Sequence, residues 1–108
     1  SQYTPGVGWA QAIRYYVEEL EEQSWEGAIA IIFGGDGSVA SNGFWSALTI
    51  ATTLHLPALF VIEDNGLAIS VEGYHQTPAS NIAKNLAAFS NLTIWDGSGV
   101  KPAETARL

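Results

Sequence analysis

The chain has no cysteine, so it can form neither a disulfide nor a thiolate metal site, which is compatible with a reducing cytoplasm. Basic residues are nearly as scarce: only Arg14, Lys84, Lys101 and Arg107 are positive, against 11 acidic residues, for a formal net charge of −7. Nucleic-acid binding calls for clustered lysine and arginine, so that class is set aside. Long apolar runs are missing too. The longest candidate, around Ala28 to Phe33, falls far short of the roughly 20 residues of a membrane helix. A basic segment leading into an apolar core, as in a secretory leader, is not found. No internal repeat or low-complexity stretch interrupts the chain, and the two histidines, His55 and His75, lie on separate segments and make no metal cluster.

What remains is a chain of 108 residues, enough for a single small domain over 1–108, with 47% hydrophobic residues to build a core. Much of the acidity sits in Glu18, Glu19, Glu21, Glu22 and Glu26, which read as a solvated helix end and loop.

Residues Ser1 to Gly8, with Pro5, Gly6 and Gly8, read as a loop. From Trp9 to Leu20, the positions Trp9, Ile13, Tyr16, Val17 and Leu20 recur at helical spacing. Ala28 to Phe33 is continuously apolar, as expected of a strand buried on both faces. A Gly-rich loop, Gly34 to Gly43, precedes a helix over Phe44 to Leu54 with Phe44, Leu48, Ala51 and Leu54 (or His55) on one side. Pro57 ends it. A second buried strand is expected over Ala58 to Ile62, then irregular chain with an extended piece near Ala68 to Val71. Ser80 can cap a helix over Asn81 to Phe89. Leu92 to Trp95 reads as a third strand, Asp96 to Gly99 as a turn, and Glu104 to Leu108 as a helix. The alternation predicts an α/β fold, a short parallel sheet flanked by helices in three layers. About three strands is fewer than the five or six of an average sheet, as in a piece of a larger α/β domain.

The chemistry concentrates at two strand-then-loop junctions. One is Gly34-Gly35-Asp36-Gly37-Ser38; the other is Glu63-Asp64-Asn65-Gly66-Leu67. Both fall at the same edge of a parallel sheet, where α/β proteins bind phosphates and metals. Glycines around Asp36 allow a tight turn and close approach, and exposed N–H groups through Ser38 and Val39 can cradle phosphate oxygens. A carboxylate there repels phosphate unless a cation bridges them. Magnesium does so with one or two protein oxygens: Asp36 can give one, the Asn65 side-chain carbonyl another, and a backbone carbonyl, most plausibly that of Leu67, a third. Alone, each junction is an ordinary turn; together, after two buried strands, they point to a magnesium–diphosphate site. No Gly-x-Gly-x-x-Gly opens a helix at the right place, and no P-loop lysine is present.

These residues resemble a known family. Gly35-Asp36-Gly37, followed at the characteristic interval by Asp64-Asn65, is similar to the thiamine diphosphate motif, whose last two positions are usually both asparagine. The stretches 34–48 and 56–71, with Gln76-Thr77, Ile82-Ala83 and Asp96-Gly97, resemble the α part of bacterial 2-oxo acid dehydrogenase E1 components of the branched-chain (2-oxoisovalerate) or fused α–β type. The resemblance implies that Asp36, Asn65 and the Leu67 carbonyl bind Mg2+, where the family often has an aromatic residue at the position of Leu67. It implies that Gly35, Gly37, Ser38 and Val39, with Asn65, form the thiamine diphosphate site. It also implies oxidative decarboxylation of a 2-oxo acid, an E1 β part and a lipoyl-bearing E2 as partners, and a homo-oligomer. By the same resemblance, the pyrimidine-gripping segment, the phosphate-binding histidine loop and the activating glutamate are outside this chain, so the chain by itself is expected to be inactive. A non-catalytic module derived from the family stays open, as does another thiamine enzyme, such as an acetoin dehydrogenase or a transketolase. Of the remaining residues, His55 reads as a helix end, His75 as loop packing, and Trp9, Trp25, Trp45 and Trp95 as core or interface anchors.

Overall fold

The structure, a computed structural model, describes residues 2–108. Helix α1 (Tyr3–Glu18) leads, through a 3-10 turn at Gln23–Trp25, into strand β1 (Ala30–Gly35). A 3-10 turn at Asp36–Ala40 precedes helix α2 (Asn42–Thr53) and strand β2 (Ala58–Glu63). The short strands β3 (Leu67–Ala68) and β4 (Val71–Glu72), helix α3 (Ile82–Leu86) and helix α4 (Pro102–Arg107) follow. β1 and β2 pair in parallel, with Ala30 opposite Ala58 and Gly35 opposite Glu63. β3 and β4 form a small antiparallel hairpin, Leu67 opposite Glu72. The expected α/β architecture, a short parallel sheet with helices against it, is what the chain forms.

Helix α1 starts six residues earlier than the sequence suggests, and only Ser1 of the expected loop lies outside the described residues. Pro5 is tolerated because the first helical turn needs no N–H partner there. Gly6 is a packing residue: a Cβ would overlap the Ile32 side chain, so its absence lets α1 lie against β1. The buried stripe of α1 is Tyr3, Val7, Ala10 and Ile13, with Val17 partly buried. Trp9, Tyr16 and Leu20, expected on that stripe, are exposed: the face that packs on the core runs through Tyr3, Val7, Ala10 and Ile13, and Leu20 lies beyond the helix end.

The core lies between α1, α2 and one face of the sheet. Tyr3 meets Phe44 edge-on at 5.1 Å between ring centres and stacks over Phe60 at 6.2 Å; Phe44 meets Phe60 edge-on at 6.1 Å. Such ring pairs add to area burial. Leu48, Ala47, Val39 and Ile32 complete the cluster. Leu54 and His55 do not join it. The carboxyl end of α2 is instead fastened by the Arg14 guanidinium, which donates to the Leu54 and His55 carbonyls. This gives orphan helix carbonyls a cationic partner.

Further expectations change. β1 was expected to be buried on both faces, yet it alternates, with Ile31 52% and Phe33 61% exposed. Leu92 to Trp95 is not a paired strand; this segment borders a cavity of about 550 Å3 that also reaches Leu59 and Phe60 of β2, Phe44 and Leu48 of α2, and Leu86 of α3. Helix α3 is short, and its cap is Asn81, whose Oδ1 accepts from the Lys84 N–H at 2.9 Å. Ser80 has φ of 50° and is not that cap. Of the tryptophans expected as core or interface anchors, Trp9, Trp45 and Trp95 are exposed, and Trp25 stacks on Tyr16 at 5.1 Å. The turn expected over Asp96 to Gly99 falls at Gly99–Val100.

Phe44 is the ring shared by both helices and the sheet. Phe44→Ala should lower unfolding free energy by about 3–5 kcal/mol, measured by chemical denaturation; a loss under about 1 kcal/mol would contradict this core assignment.

Candidate functional site

The last paired residues of the sheet, Gly35 and Glu63, sit side by side. The chain therefore leaves both strands at one level, and neighbouring strands are about 5 Å apart. Asp36 begins the 3-10 turn after β1; Asp64 and Asn65 begin the loop after β2. Asp36 is only 6% exposed. Its carboxylate accepts no hydrogen bond and forms no ion pair among the described residues, and it lines a cavity of about 310 Å3. Asp64, Leu67, Glu72, Tyr74 and Thr77 line the same cavity, and no lysine or arginine does.

The two loops are in direct contact. A Cβ on Gly37 would overlap the Cβ of Ala68 in β3 and lie 2.7 Å from Gln76 Oε1. Glycine at 37 is thus a steric requirement for seating the hairpin on the first loop. Gln76 in turn donates from Nε2 to the Val71 carbonyl at 2.9 Å, tying the hairpin to the following segment.

The second loop is shaped by two successive side-chain turns. Asp64 Oδ1 accepts from the Gly66 N–H at 2.9 Å, and Asn65 Oδ1 accepts from the Leu67 N–H at 3.0 Å. Aspartate and asparagine favour this local bonding. Gly66, with φ of 77°, supplies the left-handed residue the reversal needs.

The structure brings Asp36 and Leu67 to one cavity and holds Gly37 beside the hairpin. Asn65 is exposed and does not line that cavity, and its Oδ1 serves the backbone turn. Gly35 is the end of β1. The Ser38 hydroxyl turns inward, donating to the Gly35 carbonyl at 2.5 Å. Val39 is buried in the core, so its side chain faces away from solvent. Within the expected Gly-rich loop the chain forms the 3-10 turn, and the first turn of α2 is capped by Ser41, which accepts from the Phe44 N–H. Glu72 and Tyr74 are cavity residues the sequence did not mark. Glu72 arrives there through pairing opposite Leu67, in a hairpin too short to leave a periodic signal.

The residue pattern behind this geometry is shared. Residues 1–95 match the model of the dehydrogenase E1 component family. The chain belongs to that family. Among its relatives, the pyruvate dehydrogenase E1 component subunit alpha of Staphylococcus aureus (strain Mu50 / ATCC 700699) is 31% identical over 88 residues, which is 82% of this chain and 22% of the relative. The protein of the same description from Staphylococcus epidermidis (strain ATCC 12228 / FDA PCI 1200) is 37% identical over 57 residues, 53% of this chain and 15% of that relative. This E1-family chain thus spans about a fifth or less of the length of the curated relatives it matches.

Gly37→Ala should push the β3–β4 hairpin off the first loop and cost about 1–3 kcal/mol, the usual penalty for overpacking. Amide spectra should show the largest changes at Ala68 and Gln76. Unchanged signals at both would contradict the contact.

Proposed function

We propose that this chain supplies the magnesium–diphosphate half of a thiamine diphosphate site in a 2-oxo acid dehydrogenase E1. The observation that carries the reading is Asp36: a largely buried residue whose carboxylate makes no hydrogen bond or ion pair among the described residues and opens onto a cavity whose other acidic groups are Asp64 and Glu72. Carboxylates that face one another across a cavity, with no basic residue among its lining, repel unless a cation stands between them. A hard divalent cation with oxygen ligands is the partner this donor set suits, and it would also allow an anionic diphosphate to approach. Family membership supports the same choice of cofactor.

In this reading Asp36, Asn65 and the Leu67 carbonyl hold Mg2+, and the backbone at Gly35, Gly37, Ser38 and Val39 takes the diphosphate. Asn65 joins by exchanging part of its bond to Leu67 for the metal. When bound, thiamine diphosphate would supply the electron-sink chemistry needed to decarboxylate a 2-oxo acid. The chain's own part is to bind and orient the diphosphate end; the groups that act on the thiazolium and pyrimidine come from elsewhere. An E1 β part, a lipoyl-bearing E2, a homo-oligomeric assembly and a cytoplasmic setting complete the proposal. Among the described residues, no helix is long and apolar enough to cross a membrane.

Calorimetric titration with thiamine diphosphate tests this directly. Saturable binding should require Mg2+ and weaken by more than about tenfold, or about 1.4 kcal/mol, in Asp36→Ala. Binding that is indifferent to both metal and Asp36 would refute the assignment. The purified chain by itself should show no steady-state 2-oxo acid decarboxylation; measurable turnover would overturn the half-site reading.

A further inference from the structure

Beneath the first loop runs a short relay of hydroxyl groups, from buried Tyr3 to the half-buried Ser38 and Ser41. Ser38 Oγ has one hydrogen and gives it to the Gly35 carbonyl at 2.5 Å. The hydrogen in its contact with the Tyr3 hydroxyl must therefore come from Tyr3. The order is Tyr3 O–H to Ser38 Oγ, then Ser38 O–H to the carbonyl of the last paired residue of β1. Ser41 adds a third hydroxyl, donating from Oγ to the Ser38 carbonyl at 2.7 Å.

Both ends of this relay are fixed. Tyr3 is 2% exposed, and its ring is clamped between Phe44 and Phe60. Gly35 is held opposite Glu63 by the sheet. Room for the relay is made by Gly34, where a Cβ would overlap the Tyr3 hydroxyl and crowd Ser38 Oγ. Four residues from two distant segments, Tyr3, Gly34, Gly35 and Ser38, are thus matched to one another.

We infer that Tyr3 is a positioning residue for the Asp36–Ala40 turn: through Ser38 it fixes the path of the backbone that carries Asp36 and Gly37. This rests on the reading of that turn as the diphosphate loop. One consequence is that Ser38 meets a diphosphate through its backbone N–H and not through its hydroxyl, which is committed inward. A second is that helix α1, which lines no part of the 310 Å3 cavity, sets the geometry of the site.

The test uses Tyr3→Phe, Ser38→Ala and the double variant of the 108-residue chain, read in two ways. Amide hydrogen exchange over Asp36–Ala40 should quicken about tenfold in Tyr3→Phe, the factor that a hydrogen bond of ordinary net strength represents. Exchange over Leu48–Thr52 in mid-α2 should stay as in wild type, a contrast that general loosening of the core would not produce. The affinity for thiamine diphosphate with Mg2+ should fall by a similar factor in each single variant. The double variant should be no worse than either, since both remove the same link. Unchanged exchange in Tyr3→Phe, or losses that multiply in the double variant, would overturn the inference. A wild-type chain that binds no thiamine diphosphate refutes the cofactor reading, and the exchange comparison still decides the relay.

Discussion

The parallel register of β1 on β2 is the constraint on which everything else depends. Because Gly35 stands opposite Glu63, two loops 28 residues apart in the chain (64 − 36) start at the same level. A parallel connection needs a crossover, and α2 provides it. The same helix supplies Phe44, which locks to Tyr3 and Phe60 and so fixes how α1 sits on the sheet. Register, crossover and aromatic cluster form one cooperative unit. The site is assembled on its rim.

Electrostatics then narrow what the rim can hold. The cavity is bordered by Asp36, Asp64 and Glu72, none of its described lining residues is basic, and the chain carries a net charge of −7. A bare diphosphate would be repelled. In the proposed reading a cation would resolve the conflict, since it would compensate the carboxylates and bridge to phosphate oxygens. Glycine at 37 and the hydroxyl relay at 38 then act on geometry: one permits close approach of the hairpin, and the other fixes the turn. Charge and shape are set by different residues.

Much of this was legible in the residues, and the misses have physical causes. The two apolar runs, the Gly-Asp-Gly turn and the Asp-Asn-Gly turn are local signals, and each landed where expected. Pro5 and Gly6 misled because loop chemistry was read where tertiary packing ruled: the proline sits in a first turn that does not need its N–H, and the glycine admits Ile32. The stripe of α1 shifted for the same reason. Leu92 to Trp95 has strand composition, but composition does not decide pairing, and here the segment borders a cavity instead. Arg14 looked like one of four scattered charges, although it fastens the end of α2. Tyr3 looked like a loop residue, and no short-range pattern joins it to Ser38 across 35 positions.

The central claim is that the two loops at this sheet edge form one cation–diphosphate site. Paramagnetic broadening by Mn2+ in amide spectra of the chain, recorded with thiamine diphosphate present, tests it most directly. The account predicts broadening centred on Asp36, Gly37, Gly66 and Leu67, from both loops at once. Broadening centred instead on the acidic segment Glu18 to Glu26, or confined to a single loop, would contradict it.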